Sequence, residues 1–454
     1  MKIADKFRQQ IANRPQVLLI LAAVLHLGFA TAVYEVGKHQ LAPSQIYPTG
    51  VGKFASDGLM YERECLELSE VLRTEGLRAW MTWPTQLHVR LYSLPFALSR
   101  ADSFNIMTIE PLNLTYYLGI LALVFYIGKS LFDRASGLTA AAIIGVWPSL
   151  LLHTTQLLRD PLFILTILVL CLTVITVLGS KTTWRNGLVY GIIGSAALLL
   201  IRIVRLPMWR LTLVVIALAI ALLILRMILN RQVMVGAIVF IVLVSAAVLI
   251  IPQFQVSFRT NQEVKTKRAG TPEALEAFST EQQLAMRRRS FGFHLDEEGN
   301  LLPAEDGSRI DRDVQFGGPV DIIKYLPRAT VVGFLAPFPN MWLSTGKQVG
   351  SGGRVLSGFE MLVTYVLECF AVIALVLTRR KLASWFLFSV MALGTVALGL
   401  VANNIGALYR LRYPFWMMIV IFGAGGLTHL LRHRFSKGAL AQTEAESLLI
   451  GSQV

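Results

Sequence analysis

Long apolar stretches separated by short polar connections dominate the pattern of the chain. Ten stretches approach the roughly 20 residues that cross a bilayer as a helix. They are Val17–Val36, Leu112–Leu131, Leu138–Leu152, Leu158–Leu178, Leu188–Ile203, Leu211–Ile228, Val233–Ile251, Phe359–Leu377, Trp385–Val401 and Phe415–Leu431. Two further apolar segments are interrupted: residues 87–106 by Arg90 and Pro95, and residues 329–342 by Pro337 and Pro339. These two are expected to enter the membrane without crossing it. Before residue 87, Leu68, Val71 and Leu72 mark an amphipathic helix over Leu66–Leu77, and Trp80 and Trp83 suit anchors at the membrane edge.

The pattern predicts an all-α polytopic bundle of about 10–12 membrane helices. Composition agrees: 54% of the 454 residues are hydrophobic and only 15% are charged, where a soluble domain carries about 25% charged residues. The net charge of +14 does not point to nucleic acid, because the basic residues concentrate in short connections. Lys129/Arg134, Lys181/Arg185, Arg226/Arg231, Arg379/Arg380/Lys381 and Arg432/Arg434/Lys437 fall in alternate connections, as expected when Lys and Arg hold loops in the cytoplasm. The basic run before residue 15 is followed by an apolar segment too long for a cleaved signal, which reads as a retained first helix. With ten crossings both termini are cytoplasmic.

This topology divides the chain into four parts. Residues 1–251 form an N-terminal membrane module whose first outer loop is 37–87. Residues 252–325 form an outer loop or cap, with a helix expected over Glu273–Arg289. Residues 326–431 carry the last membrane helices, and 432–454 a cytoplasmic tail. Cys65, Cys171 and Cys369 lack paired or metal-site spacing, so no disulfide framework or zinc site is implied.

Four polar groups fall on the outer side. Asp57, Tyr61 and Glu64 share a helical spacing in the first loop. His153-Thr-Thr-Gln-Leu-Leu-Arg159-Asp160 precedes Pro161, and Arg202, Arg205 and Arg210 surround Pro207. Tyr409-Arg410-Leu411-Arg412-Tyr413-Pro414 precedes the last span. Charged groups near membrane depth are costly and mark function or mutual pairing. Plainer roles stand beside this: a solvated carboxylate at Asp57, an interfacial ion pair at Arg159–Asp160, headgroup anchoring by the arginines, and an interfacial belt at Tyr409–Tyr413. His88 and His153 read as interfacial rather than metal-bound. Together the groups suit phosphate recognition by arginine beside a carboxylate able to take a proton.

The order of these features resembles the GT-C glycosyltransferases, among them the protein O-mannosyltransferases and the lipid A aminoarabinose transferases. The resemblance rests on the basic N-terminus and span, the acidic first loop with its helix ending near Gly76, and the Pro-containing short segment. Gly128-Lys129-Ser130-Leu131-Phe132-Asp133-Arg134, Trp147-Pro148-Ser149 and the loop ending at Asp160 follow. It covers residues 10–210 best. Asp57 is followed by Gly58 rather than a second acid, and Thr82-Trp83-Pro84-Thr85 stands where the aminoarabinose transferases carry Lys-Pro-Pro.

The resemblance implies a GT-C fold in a bacterial inner membrane, with the active site on the periplasmic face. The implied reaction transfers a sugar from a polyprenyl-phosphate donor to a glycan or lipid acceptor of the cell envelope or of an exopolysaccharide. Asp57 and Asp160 would be catalytic, with a divalent metal ion (Mg or Mn) held by them as an option. Arg202, Arg205 and Arg412 would hold the donor phosphate. Tyr61, Glu64, Arg159, Arg410 and Tyr413 would support. Two alternatives stay open: a polymerase or ligase using a polyprenyl-diphosphate-linked glycan, and a non-catalytic transport or assembly protein. The bilayer is the expected partner and nucleic acid is not.

Overall fold

The computed structural model describes residues 15–54, 57–99, 103–179, 182–253, 280–291, 293–295, 301–303, 309–343 and 350–451. It is an all-α bundle. Nine described helices are long and apolar enough to cross a membrane, or ten if one bent pair counts as a single span. Large apolar side chains such as Ile224, Val242 and Val372 remain exposed on its flanks, a surface that a bilayer rather than water would solvate. The chain is a multi-pass membrane protein.

The N-terminal half comprises α1 (Pro15–Lys38), α2 (Gly58–Thr74), α3 (Leu77–Thr82), α4 (Leu87–Ser99), α5 (Ile106–Leu131), α6 (Arg134–Gly145) and α7 (Pro148–Thr154). Then come α8 (Asp160–Gly179), α9 (Trp184–Val204), α10 (Trp209–Asn230) and α11 (Val235–Ile250). Because α8, α9 and α10 are consecutive antiparallel passes, Asp160 and the α9–α10 turn lie at one end of the bundle. Gly179, Trp184 and Asn230 lie at the other. At 1.5 Å per residue the two ends are about 30 Å apart.

Three expectations change in this half. The Leu66–Leu77 helix and the preceding acidic stretch form one helix, α2, which buries Leu68 and Val71 and ends before Gly76 at φ +85°. That left-handed conformation strains any residue with a Cβ. Ser56, in the same acidic stretch, lies outside the described residues. Trp80 is a packing residue rather than a lipid anchor: its indole Nε1 donates to Ser93 Oγ at 2.8 Å. The span expected over Leu138–Leu152 is broken into α6 and α7, bent by 69°. Pro148 supplies no amide hydrogen and restricts Trp147 to extended backbone. The amide freed beyond the break, Ser149 N, donates to the buried carboxylate of Glu360 at 2.8 Å.

The C-terminal half carries α12 (Thr280–Ser290), the strands β1 (Phe293–Leu295) and β2 (Leu301–Pro303), and α13 (Pro319–Leu335). It ends with α14 (Gly350–Leu377), α15 (Leu382–Val401), α16 (Ile405–Leu411) and α17 (Tyr413–Gly451). The strands form a single antiparallel pair. Residues 273–279 of the helix expected over Glu273–Arg289 lie outside the described residues, as does the basic segment before residue 15. As the pattern suggests, neither α4 nor α13 is among the candidate spans. Close approach locks α13 onto α15, since a Cβ on Gly399 would lie 2.0 Å from the Ala329 carbonyl oxygen. Such small-residue contacts let helix backbones meet. The cap is tied down by Arg288, which donates to the Leu400 carbonyl at 3.0 Å and the Asp311 carbonyl at 2.8 Å.

Candidate active site

Asp160 opens α8 and is buried. The loop before it is anchored from several sides: Tyr92 donates to the Leu158 carbonyl at 3.1 Å. Gln156, also buried, accepts from the Gly52 amide at 2.7 Å. That bond pins the first loop against the α7–α8 connection, placing the start of α2 beside the start of α8. Asp57 occupies the N-cap of α2, yet its side chain makes no capping hydrogen bond. Asp commonly caps the second or third amide of a helix; here the carboxylate faces across the loop instead.

Arginines from three elements meet these two acids. Arg205, at the C-cap of α9, donates from Nη2 to Asp160 Oδ1 at 2.5 Å, with both side chains 5% exposed. Arg410, on α16, places Nε 3.1 Å from Asp160 Oδ2 and Nη2 3.8 Å from Asp57 Oδ2. One guanidinium therefore spans both acids. Arg159 lies within electrostatic reach of Tyr61, Asp57 and Asp160. The Nε atoms of Arg159 and Arg205 are buried without a hydrogen-bond partner among the described residues. Three guanidiniums against two carboxylates leave a surplus of positive charge. A buried cation surplus with unused donors is suited to an anion.

Two aromatic contacts close the sides. Tyr61 is buried and meets His88 edge to face at 4.5 Å. Burial pushes the Tyr61 phenol up to about 12, so it is a neutral donor at physiological pH. His88 is held neutral, its pKa lowered to about 3 by burial and by the nearby Arg159 and Arg205. His153 meets Phe54 at 5.3 Å and Tyr413 at 5.5 Å, both edge to face. His88 is buried and His153 half-buried among these side chains. Both line the cluster, and their only sequence signal was proximity to the acidic first loop and to Asp160.

Of the residues assigned to donor phosphate, the structure brings only Arg205 to the carboxylates. The guanidinium of Arg202 lies over the Trp209 ring at 5.4 Å. Arg412 is a structural residue: its Nη1 donates at 3.0 Å to the carbonyls of Gly333, Phe334 and Ala336. These are orphan carbonyls at the end of α13, which a cation satisfies well. Arg410 and Arg412, two residues apart, point to nearly opposite sides of a helical turn, so one faces the acids and the other α13. Of the remaining supporting residues, Glu64 accepts from Thr85 Oγ1 at 2.9 Å. Tyr413 is buried against His153 and Trp416.

A divalent ion fits this donor set poorly. Both oxygens of Asp160 face guanidiniums, and no three His, Cys, Asp or Glu side chains gather at metal spacing among the described residues. A cavity of about 580 Å³ lies elsewhere, at the far end of the same helices. The Asp57–Asp160 cluster is partly open, with the Arg410 side chain 17% and the Asp57 side chain 26% exposed. Compared with protein-family models and with curated proteins, the chain matches none.

Proposed function

We propose that the chain is a membrane glycosyltransferase of GT-C type that uses a polyprenyl-phosphate-linked sugar. The observation that carries this is Arg410 bridging Asp57 and Asp160 beside Arg159 and Arg205. In this reading the donor lies in the bilayer with its phosphate among the three guanidiniums. Asp57 accepts the proton of an acceptor hydroxyl or amine. The acceptor atom bonds to the sugar's anomeric carbon as the bond from that carbon to phosphate oxygen breaks. The electron pair leaves on the phosphate, whose added charge the arginines stabilise. Asp160 acts by holding Arg205 and Arg410 in place, and the neutral Tyr61 donates a hydrogen bond. No step passes through a metal.

The likeness in feature order to GT-C enzymes supports the reading. So does the concentration of basic residues at the opposite end of the bundle, which agrees with a site on the periplasmic face of a bacterial inner membrane and with both termini cytoplasmic. The test is transfer of labelled sugar from polyprenyl-phosphate donors to envelope acceptors by the purified protein. Asp57→Asn should lower turnover by about 10²- to 10⁴-fold at unchanged yield. Near-normal turnover in that variant would sink the proposal.

A further inference from the structure

A second charged centre lies at the other end of the bundle. A cavity of about 580 Å³ opens where α5, α8 and α10 end and α15 begins, lined by Ser130, Thr176, Arg226, Asn230, Arg380 and Lys381 among others. Among the described residues no acidic side chain lines it. The acid described nearby, Asp133, is engaged by Arg432 at 2.5 Å and caps α6 through the Ser136 amide.

Two of the three cations, Arg226 and Lys381, are held in place by helix ends. Arg226 donates to the Val177 carbonyl at 2.8 Å, and Lys381 to the Leu131 carbonyl at 2.6 Å. Each bond satisfies an orphan carbonyl at the end of α8 or α5. Lys381 uses one of the three donors of its ammonium in this way, and its charge stands at the cavity wall. Arg380 is exposed at the same wall. Leu382 and Ala383, the first residues of α15, line the opening too. Their helix dipole favours an anion there.

We infer that this cavity takes a phosphate group, presented either by an anionic phospholipid headgroup from the leaflet at that end or by soluble phosphate. Basic pockets between membrane helices suit such headgroups, and the cavity's position about 30 Å from Asp160 makes it separate from the donor site.

Native mass spectrometry of the full chain released from phosphatidylglycerol/phosphatidylcholine nanodiscs tests this. The wild type should retain phosphatidylglycerol in preference to phosphatidylcholine. Arg380→Gln with Lys381→Gln should weaken retention about 25-fold, at about fivefold per cation. Because that double variant also loses the bond to Leu131, Asn230→Glu serves as the second variant. It keeps every cation, adds a carboxylate at the wall and should weaken retention about fivefold. Inorganic phosphate separates the sources. If millimolar phosphate displaces phosphatidylglycerol and stabilises the protein in phosphatidylcholine nanodiscs, soluble phosphate is a ligand; if only phosphatidylglycerol acts, the site reads a lipid. Unchanged retention in Asn230→Glu, or no effect of either phosphate source on the wild type, would overturn the inference.

Discussion

Two acidic centres of this protein are built from the same residue types and differ in how completely they are satisfied. At Asp311, in the cap, Arg328 donates from Nε and Nη2 at 2.9 and 3.0 Å, and Tyr325 donates its hydroxyl at 2.7 Å. Arg288 fills the remaining space with bonds to two carbonyls and Tyr325. The Asp311 carboxylate oxygens both find donors, as in a network whose task is to hold parts together. At Asp160 three arginines crowd two acids, and the buried Nε atoms of Arg159 and Arg205 have no hydrogen-bond partner among the described residues, against one such atom, Arg288 Nε, at the Asp311 centre. One element, α13, supplies the side chains bonded to the Asp311 carboxylate. The Asp160 cluster draws on the first loop, the α7–α8 connection, the α9–α10 turn and α16. A protein keeps an incompletely satisfied, cationic, buried cluster at a cost; that difference separates a candidate site from a structural staple.

The comparison can be broken by removing either acid. Asp160→Asn leaves Arg205 buried without its counter-charge. The expected loss is about 3–5 kcal/mol of stability, read as a lower thermal midpoint in detergent, together with loss of transfer. A variant as stable as the wild type would show that the pair is not buried as described.

The second effect is pH-dependent and belongs to the same side. An unfolded chain protonates His88 below about pH 6.5, whereas the folded cluster keeps it neutral down to about 3. Between these values the unfolded state binds the extra proton. Stability from this group is therefore complete above pH 6.5 and falls as the pH drops, by about 1.4 kcal/mol per unit at most. His88→Gln should flatten the acid limb of a stability–pH curve; an unaltered limb would place His88 in contact with water.

The smallest effect is expected at Asp311. Its Arg328 partner is 46% exposed, so screening by water limits the pair to about 1 kcal/mol. Asp311→Asn should shift the thermal midpoint slightly and leave transfer intact. Loss of transfer in this variant would make the cap part of the site and erase the contrast between the two centres.

Much of the membrane architecture was legible because hydropathy is a local property: a run such as Leu158–Leu178 must leave water wherever it sits. That α4 and α13 fall outside the candidate spans was legible for the same reason, since Arg90 and Pro95 shorten one and paired prolines end the other. The bend between α6 and α7 was not, although Pro148 marks it, because a broken span depends on a distant acceptor for the freed amide. Glu360 provides that acceptor from 211 residues away.

The same division runs through the site. The sequence by itself determined the repertoire: which residues carry charge at helix ends and which end of each span they occupy. Only the tertiary structure decided their partners. Arg202, Arg205, Arg410 and Arg412 look alike in one dimension, each beside a span end with an aromatic or proline nearby. Packing sends Arg202 to Trp209, Arg412 to the carbonyls of α13, and Arg205 and Arg410 to Asp160. A guanidinium chooses among partners within a few ångströms, and those distances are set by helices far apart in the chain.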